Sequence, residues 1–240
     1  LFAPLVTVVV YSFLVPTPTV SGAVEMRLGL AWYEGLFANG ALGDALLVSV
    51  EIAAVVSVVA SVLGGLGALA LERGRFPGRD LLAAATLVPL VLPELVQGLA
   101  SVIWFAALRM TLGTHSIILA HATFAVSYVV VTVRARLADF DGTLLEAAAD
   151  LGAPPLAVFR RVTLPLALPG VVAGAMMAFT LSFDDFLISF FTAGVGADTL
   201  PMKLYAMIRF GLNREMYALS SLLILVTAAG LALQRRLGRR

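Results

Sequence analysis

Between Ala45 and Leu71 the chain carries one charged side chain, Glu51, in a run longer than the ~20 residues that take a helix across a bilayer. Such a run leaves few options, because in lipid every backbone N–H and C=O must be satisfied internally. Comparable apolar runs cover Leu1–Val15, Leu81–Leu108, His115–Val133, Val171–Phe191 and Ala218–Leu233. With 60% hydrophobic and 13% charged residues and a mean hydropathy of +1.00, the chain is no soluble globular domain, which would carry about twice that charge fraction. The expected fold is all-α: a polytopic transmembrane helical bundle of six spans, forming one domain over residues 1–240 and solvated by lipid.

The runs are separated by readable punctuation. Leu1–Val15 is too short to span alone, at roughly 22 Å as helix, so the upstream part of that span is expected to lie outside this sequence. It lacks the basic region and small-x-small cleavage site of a signal peptide. Residues 16–43 read as a polar loop holding the interfacial pair Trp32 and Tyr33, and Asp44 as the cap of the second span. Gly64, Gly65, Gly67 and Ala68 would let a neighbouring helix approach closely. Pro89 and Pro93 predict a kink in the third span. Ala193–Tyr217 reads as polar. A net charge of +1 excludes a nucleic-acid partner, and the absence of cysteine excludes disulfides, thiolate metal sites and thiol nucleophiles. His115 and His121, six residues apart, are expected as polar residues at span ends rather than as metal ligands.

The longest segment of mixed charge between runs falls at about residues 137–169. Leu144, Leu145, Ala148 and Leu151 repeat at helical spacing and leave Glu146 and Asp150 on another face. Gly152 stops that helix, as a residue free to adopt left-handed backbone does. Pro154 and Pro155 suit the first turn of a second helix, which Leu164-Pro165 and Pro169-Gly170 are expected to break. The product is an elbow of two short amphipathic helices, suited to a groove on another protein.

This stretch resembles the signature of the inner-membrane permease subunits of bacterial binding-protein-dependent ABC importers, which reads Glu-Ala-Ala, three residues, Gly, nine residues, Ile, one residue, Leu-Pro. Here the positions are Glu146, Ala147, Ala148, Gly152, Val162, Leu164 and Pro165, with Val162 in place of Ile. The resemblance implies the importer permease fold known as type I and a coupling role for these residues. It also implies three kinds of partner: a dimer of ATPase subunits, a second and similar permease, and an extracytoplasmic binding protein. No cofactor is expected in this chain. It has no phosphate-binding loop, so ATP and Mg would be bound by the partner ATPase, and the chain itself would be a translocation subunit rather than an enzyme.

If the elbow is cytoplasmic, eleven of the 16 basic residues share its side: Arg73, Arg75, Arg79, Arg134, Arg136, Arg160, Arg161, Arg235, Arg236, Arg239 and Arg240. The positive-inside rule then places both termini in the cytoplasm of a bacterial cell with the chain in the inner membrane. Four carboxylates, Glu51, Glu94, Asp184 and Asp185, fall within spans. Each costs ~3 kcal/mol at the bilayer centre unless it faces water or a partner. At ~1.5 Å per residue, Glu51, Glu94 and Asp184 come to one level, about 8 to 10 Å below the outer face. No intramembrane Lys or Arg balances them, which points to a vestibule for a cation or, equally, to protonated or helix-bonded carboxyls. Trp104 and Tyr128 are candidates to line the path.

The runs FTLSFDDFLISFF at Phe179–Phe191, LPMKLYAMIRFG at Leu200–Gly211 and WYEGLF at Trp32–Phe37 look like the second permease of spermidine/putrescine importers. The same neighbourhood holds opine, phosphonate and ferric-iron permeases. The rival readings are an ion-coupled secondary transporter, in which the carboxylates relay protons, and an intramembrane hydrolase. The second is disfavoured because adjacent Asp184 and Asp185 point about 100° apart on a helix.

Overall fold

The computed structural model describes residues 3–18, 24–38, 40–138, 143–210 and 216–225. In chain order these form α1 (Ala3–Ser12), β1 (Leu14–Pro18), β2 (Val24–Leu28), α2 (Ala31–Ala38), α3 (Gly40–Arg73), α4 (Arg79–Ala85), α5 (Val88–Val91) and α6 (Glu94–Ala107). Next come α7 (Thr114–Ala138), α8 (Thr143–Asp150), α9 (Pro155–Val158), a π-helical turn (Phe159–Thr163), α10 (Leu164–Asp184), α11 (Leu187–Thr192), α12 (Leu200–Phe210) and α13 (Met216–Leu225). The C-terminal arginines, Arg214 and the end of the sixth apolar run lie outside the described residues.

Among the described residues, three helical segments are long and apolar enough to cross a membrane: Gly40–Arg73, Thr114–Ala138 and Pro155–Asp184. A helix pair, Arg79–Val91 and Glu94–Ala107, is long and apolar enough only when taken together, and its two parts meet at 111°. The first and sixth runs are represented by the shorter apolar helices α1 and α13. The third span is therefore not the kinked helix expected. Pro93 forces the residue before it out of the helical region, and Leu92 accordingly sits at φ −68°, ψ 134°. The side-chain amide of Gln97 then donates to the carbonyls of Pro89 (2.9 Å) and Leu92 (3.0 Å), which lack helical partners at the break.

The fifth span also departs from expectation. Pro165 and Pro169 do not stop it; helix runs from Pro155 through to Asp184. The missing N–H of Pro165 is absorbed just upstream, where the turn widens to π geometry and Leu164 N–H bonds the carbonyl of Phe159. The second span begins before Asp44, at Gly40, so Asp44 lies inside α3 and not at its cap. Residues expected as loop fold locally as well: β1 and β2 pair antiparallel with Leu14 opposite Leu28, and α12 occupies the stretch before Tyr217.

The chain divides into two compact units, Leu1–Leu46 with Met202–Arg240, and Leu47–Pro201. In the first, the Tyr33 hydroxyl lies 2.8 Å from Ser12 Oγ and 2.6 Å from Ser221 Oγ, and Trp32 Nε1 donates to the Leu14 carbonyl at 2.8 Å. The predicted interfacial pair is thus partnered within its own unit. The second unit is built on α7, whose Ile117, Ala125, Val129, Val130 and Val133 are buried, with α3 and α10 packed against it. A Cβ on Gly64 would meet Val129 Cβ at 2.7 Å, and one on Gly174 would meet Val129 Cγ1 at 3.1 Å. The small-residue patch thus admits Val129 from α7, as small residues do where membrane helices close on one another. Ser57 of α3 also donates to the Ala175 carbonyl of α10 at 2.7 Å.

Candidate functional site: an acidic cavity and an exposed elbow

Two features of the second unit carry the functional argument. The first is a cavity of about 480 Å3 where the broken third span meets the end of α10. Glu94, at the first turn of α6, and Asp184, the last residue of α10, both line it. Around them stand Gln97, Thr180, Tyr128, Phe124 and Phe186, and no Lys or Arg is among the lining residues. Two acidic side chains beside three aromatic rings are chemically suited to an ammonium group, through ion pairing and through the attraction of a cation to ring faces. Both carboxylates reach the cavity because their helices end there: a through-going helix would have carried them past it.

The other sequence-predicted residues are placed differently. Glu51 is exposed on α3 and is not among the residues lining this cavity. Trp104 is exposed on α6 and is not among them either, whereas Tyr128 is. Asp185 contributes to the wall, but its carboxylate turns inward. Oδ2 accepts from His121 Nε2 at 3.1 Å and from Ser189 N–H at 2.8 Å.

His121 corrects the sequence reading. It sits well inside α7, fully buried, with Nδ1 2.8 Å from Ser182 Oγ. His115, by contrast, does sit at the helix start, where its Nε2 lies 2.7 Å from the Thr111 carbonyl. A usable signal existed for His121: an imidazole in an apolar run and an aspartate in another are each costly unless they find one another.

The second feature is the elbow. The end of α8 forms two bonds, Ala153 N–H to Ala148 C=O (3.2 Å) and Gly152 N–H to Ala149 C=O (2.8 Å), with Gly152 at φ +78°. That is the Schellman arrangement, which needs the left-handed residue glycine supplies. Pro154 is extended at ψ 154°, and Pro155 opens α9. Glu146 is exposed in the first turn of α8, where a carboxylate complements the helix dipole; Ala147 is exposed and Ala148 half-buried. Val162 lies half-buried in the π turn, and Leu164 and Pro165 are exposed at the start of α10. Leu151 is 89% and Leu156 67% exposed, so the bend offers apolar knobs left open by the described residues. Arg73, closing α3, holds the end of the π turn by donating to Thr163 Oγ1 at 3.1 Å, and Arg134 of α7 pairs with the adjacent Glu72 of α3 at 3.3 Å.

A bundle of long apolar helices with an exposed elbow and a cavity at a broken helix pair is the frame of a polytopic membrane protein. The chain belongs to the family of inner membrane components of binding-protein-dependent transport systems, whose model matches residues 60–240. It is 38% identical over 209 residues to the spermidine/putrescine transport system permease protein PotC of Haemophilus influenzae, covering 87% of this chain and 81% of that one. To the putrescine transport system permease protein PotI of Escherichia coli strain K12 it is 39% identical over 233 residues, covering 93% and 81%. Among solved structures, an amino acid ABC transporter matches at TM-score 0.63 and 18% identity, over 86% of this chain and 96% of that one. The methionine ABC transporter MetNI, in inward-facing form, matches at TM-score 0.63 and 21% identity, over 82% and 92%. These two establish the fold. The protein is thus a multi-pass permease subunit of an ABC importer, a translocation component that works with an ATPase and a binding protein. Membership in this family displaces the secondary-transporter and hydrolase readings.

Proposed function

We propose that this subunit imports a small polyamine, putrescine or spermidine, and that Glu94 and Asp184 line the cation's path. The observation that carries this reading is the shared cavity: two carboxylates and three aromatic rings with no basic residue in the lining. The names of the 38–39% identical relatives point to the same cargo class. An anionic cargo such as a phosphonate would meet two like charges there.

In this reading the chain pairs with a second, similar permease. Two ATPase subunits, which hold ATP and Mg, seat on Glu146–Pro165, and the binding protein delivers cargo from the other side. Both termini then lie in the cytoplasm, consistent with the basic residues gathered on the elbow's side. Only contacts that differ between the open and closed ATPase states can drive such a cycle. Glu146, Ala147, Ala148, Gly152, Val162, Leu164 and Pro165 form the coupling surface, with Leu151 and Leu156 as its apolar knobs.

The test is uptake by the reconstituted four-component complex, presented with putrescine on its binding protein. Replacing Glu94 by Gln together with Asp184 by Asn should raise the KM for putrescine about tenfold or more with the complex assembled, because two charge interactions are lost. An unchanged KM would remove the cation path. Glu146→Arg or Gly152→Leu should leave the chain inserted and abolish both ATPase association and uptake; normal uptake by either variant would remove the docking role.

A further inference from the structure

Between α10 and α11 the chain leaves helical geometry for a single extended residue, Asp185, at φ −68°, ψ 127°. That break creates the end of α10 on which Asp184 stands, and an extended residue between two helices needs something to hold it. The side chain of Asp185 folds forward over the first turn of α11, accepting from Ser189 N–H at 2.8 Å and, more weakly, Ile188 N–H at 3.4 Å. It thereby occupies donors that a helix start leaves unpaired. His121, from the neighbouring α7, then touches both sides of the break. Its Nδ1 lies 2.8 Å from Ser182 Oγ in the last turn of α10, and its Nε2 donates to Asp185 at 3.1 Å and lies 3.2 Å from Ser189 Oγ on α11. All four side chains are buried.

The linkage continues to the other carboxylate. α11 lies against α6 at Gly98, where an added Cβ would come within 2.8 Å of Phe191 Cδ2 and 3.4 Å of Ile188 Cα. Gly98 is one turn beyond Glu94 and on the same helix face. A shift of α11 therefore moves the surface on which the Glu94 helix rests, while a change in the break moves Asp184 directly.

We infer that His121 is a positioning residue: through Asp185, Ser182 and Ser189 it fixes the break between α10 and α11 and so sets Asp184 and Glu94 to face one cargo across the cavity. This rests on the cation-path reading above for its consequence in transport, but not for its geometry. His121 touches no cargo in this account.

Two measurements separate the parts. The chain has no cysteine, so Leu187→Cys, just past the break and on the cavity wall, gives a single label site within this subunit, read on its own band after the subunits are separated. In the full complex, His121→Leu should change the rate of Leu187→Cys labelling by a water-soluble maleimide about fivefold or more. It should also raise the KM for putrescine about tenfold, the scale of one lost buried hydrogen bond to a charged group, with kcat per assembled complex held within about twofold. His121→Gln restores a donor near the place of Nε2 and should recover most of both effects. His121→Asn is too short to reach Asp185 and should not. Equal behaviour of the Gln and Leu variants, an unchanged labelling rate, or a loss confined to the amount of assembled complex would each overturn the positioning role. An unchanged KM on neutralising Glu94 and Asp184, alongside altered labelling in His121→Leu, would fall on the cation path and leave the geometry of the break standing.

Discussion

Two helix ends in this protein use the same hydrogen-bond pattern with different residues. At the end of α8 the left-handed position is Gly152; at the end of α6 it is Arg109, at φ +54°, with Met110 N–H bonded to Phe105 C=O and Arg109 N–H to Ala106 C=O. A side chain in that conformation costs about 1 kcal/mol, which glycine avoids. Arg109→Gly should therefore raise the thermal unfolding midpoint in detergent by the equivalent of about 0.5–1 kcal/mol. The converse holds where α3 and α10 close on Val129: Gly64→Ala inserts a methyl 2.7 Å from Val129 Cβ and should destabilise by ~1–3 kcal/mol in the same melt. At this scale the sequence was informative wherever one residue type has one physical use, as with Gly152 or the glycines of α3. It misplaced His121 at a span end, because an imidazole's meaning depends on what another helix brings to it.

Among the elements, the π turn at Phe159–Thr163 joins the elbow rigidly to a span, which a break at Pro165 would not have done. A widened turn inserts the equivalent of one residue, about 100° of helical phase, between the elbow and α10. Pro165→Ala restores the missing N–H and lets the turn relax to α geometry. We expect this variant to bind the ATPase and hydrolyse ATP while transporting fewer cargo molecules per ATP, a ratio measurable in proteoliposomes. A ratio equal to that of the parent would show that the phase does not matter. Proline positions were legible as interruptions, but not their outcome: Pro93 parts two helices at 111°, while Pro165 and Pro169 are carried within continuous helix. What separates the cases is the supply of replacement partners, Gln97 at one break and a shifted backbone bond at the other, and neither is visible from local propensity.

For the molecule as a whole, hydropathy was enough to recover a helical membrane bundle, because lipid permits so few alternatives, and the permease class came from the resemblance of Glu146 to Pro165 to a family signature. The elbow was legible from the chain alone because its motif is contiguous. The cavity was legible only in part: Glu94 and Asp184 meet, but Glu51, counted to the same depth, does not line it, since depth along a helix says nothing about which way its faces turn. The elbow also has a bearing on how the protein must be made. Leu151, Leu156 and Leu144 are 89%, 67% and 50% exposed, apolar surface that water tolerates poorly and that chaperones and proteases recognise. A copy synthesised without its ATPase should have a shorter half-life in a pulse-chase than one made alongside it. Exchanging Leu151 and Leu156 for serine should lengthen the life of the solitary subunit while leaving it useless as an importer, so the cell is left to match the production of its parts.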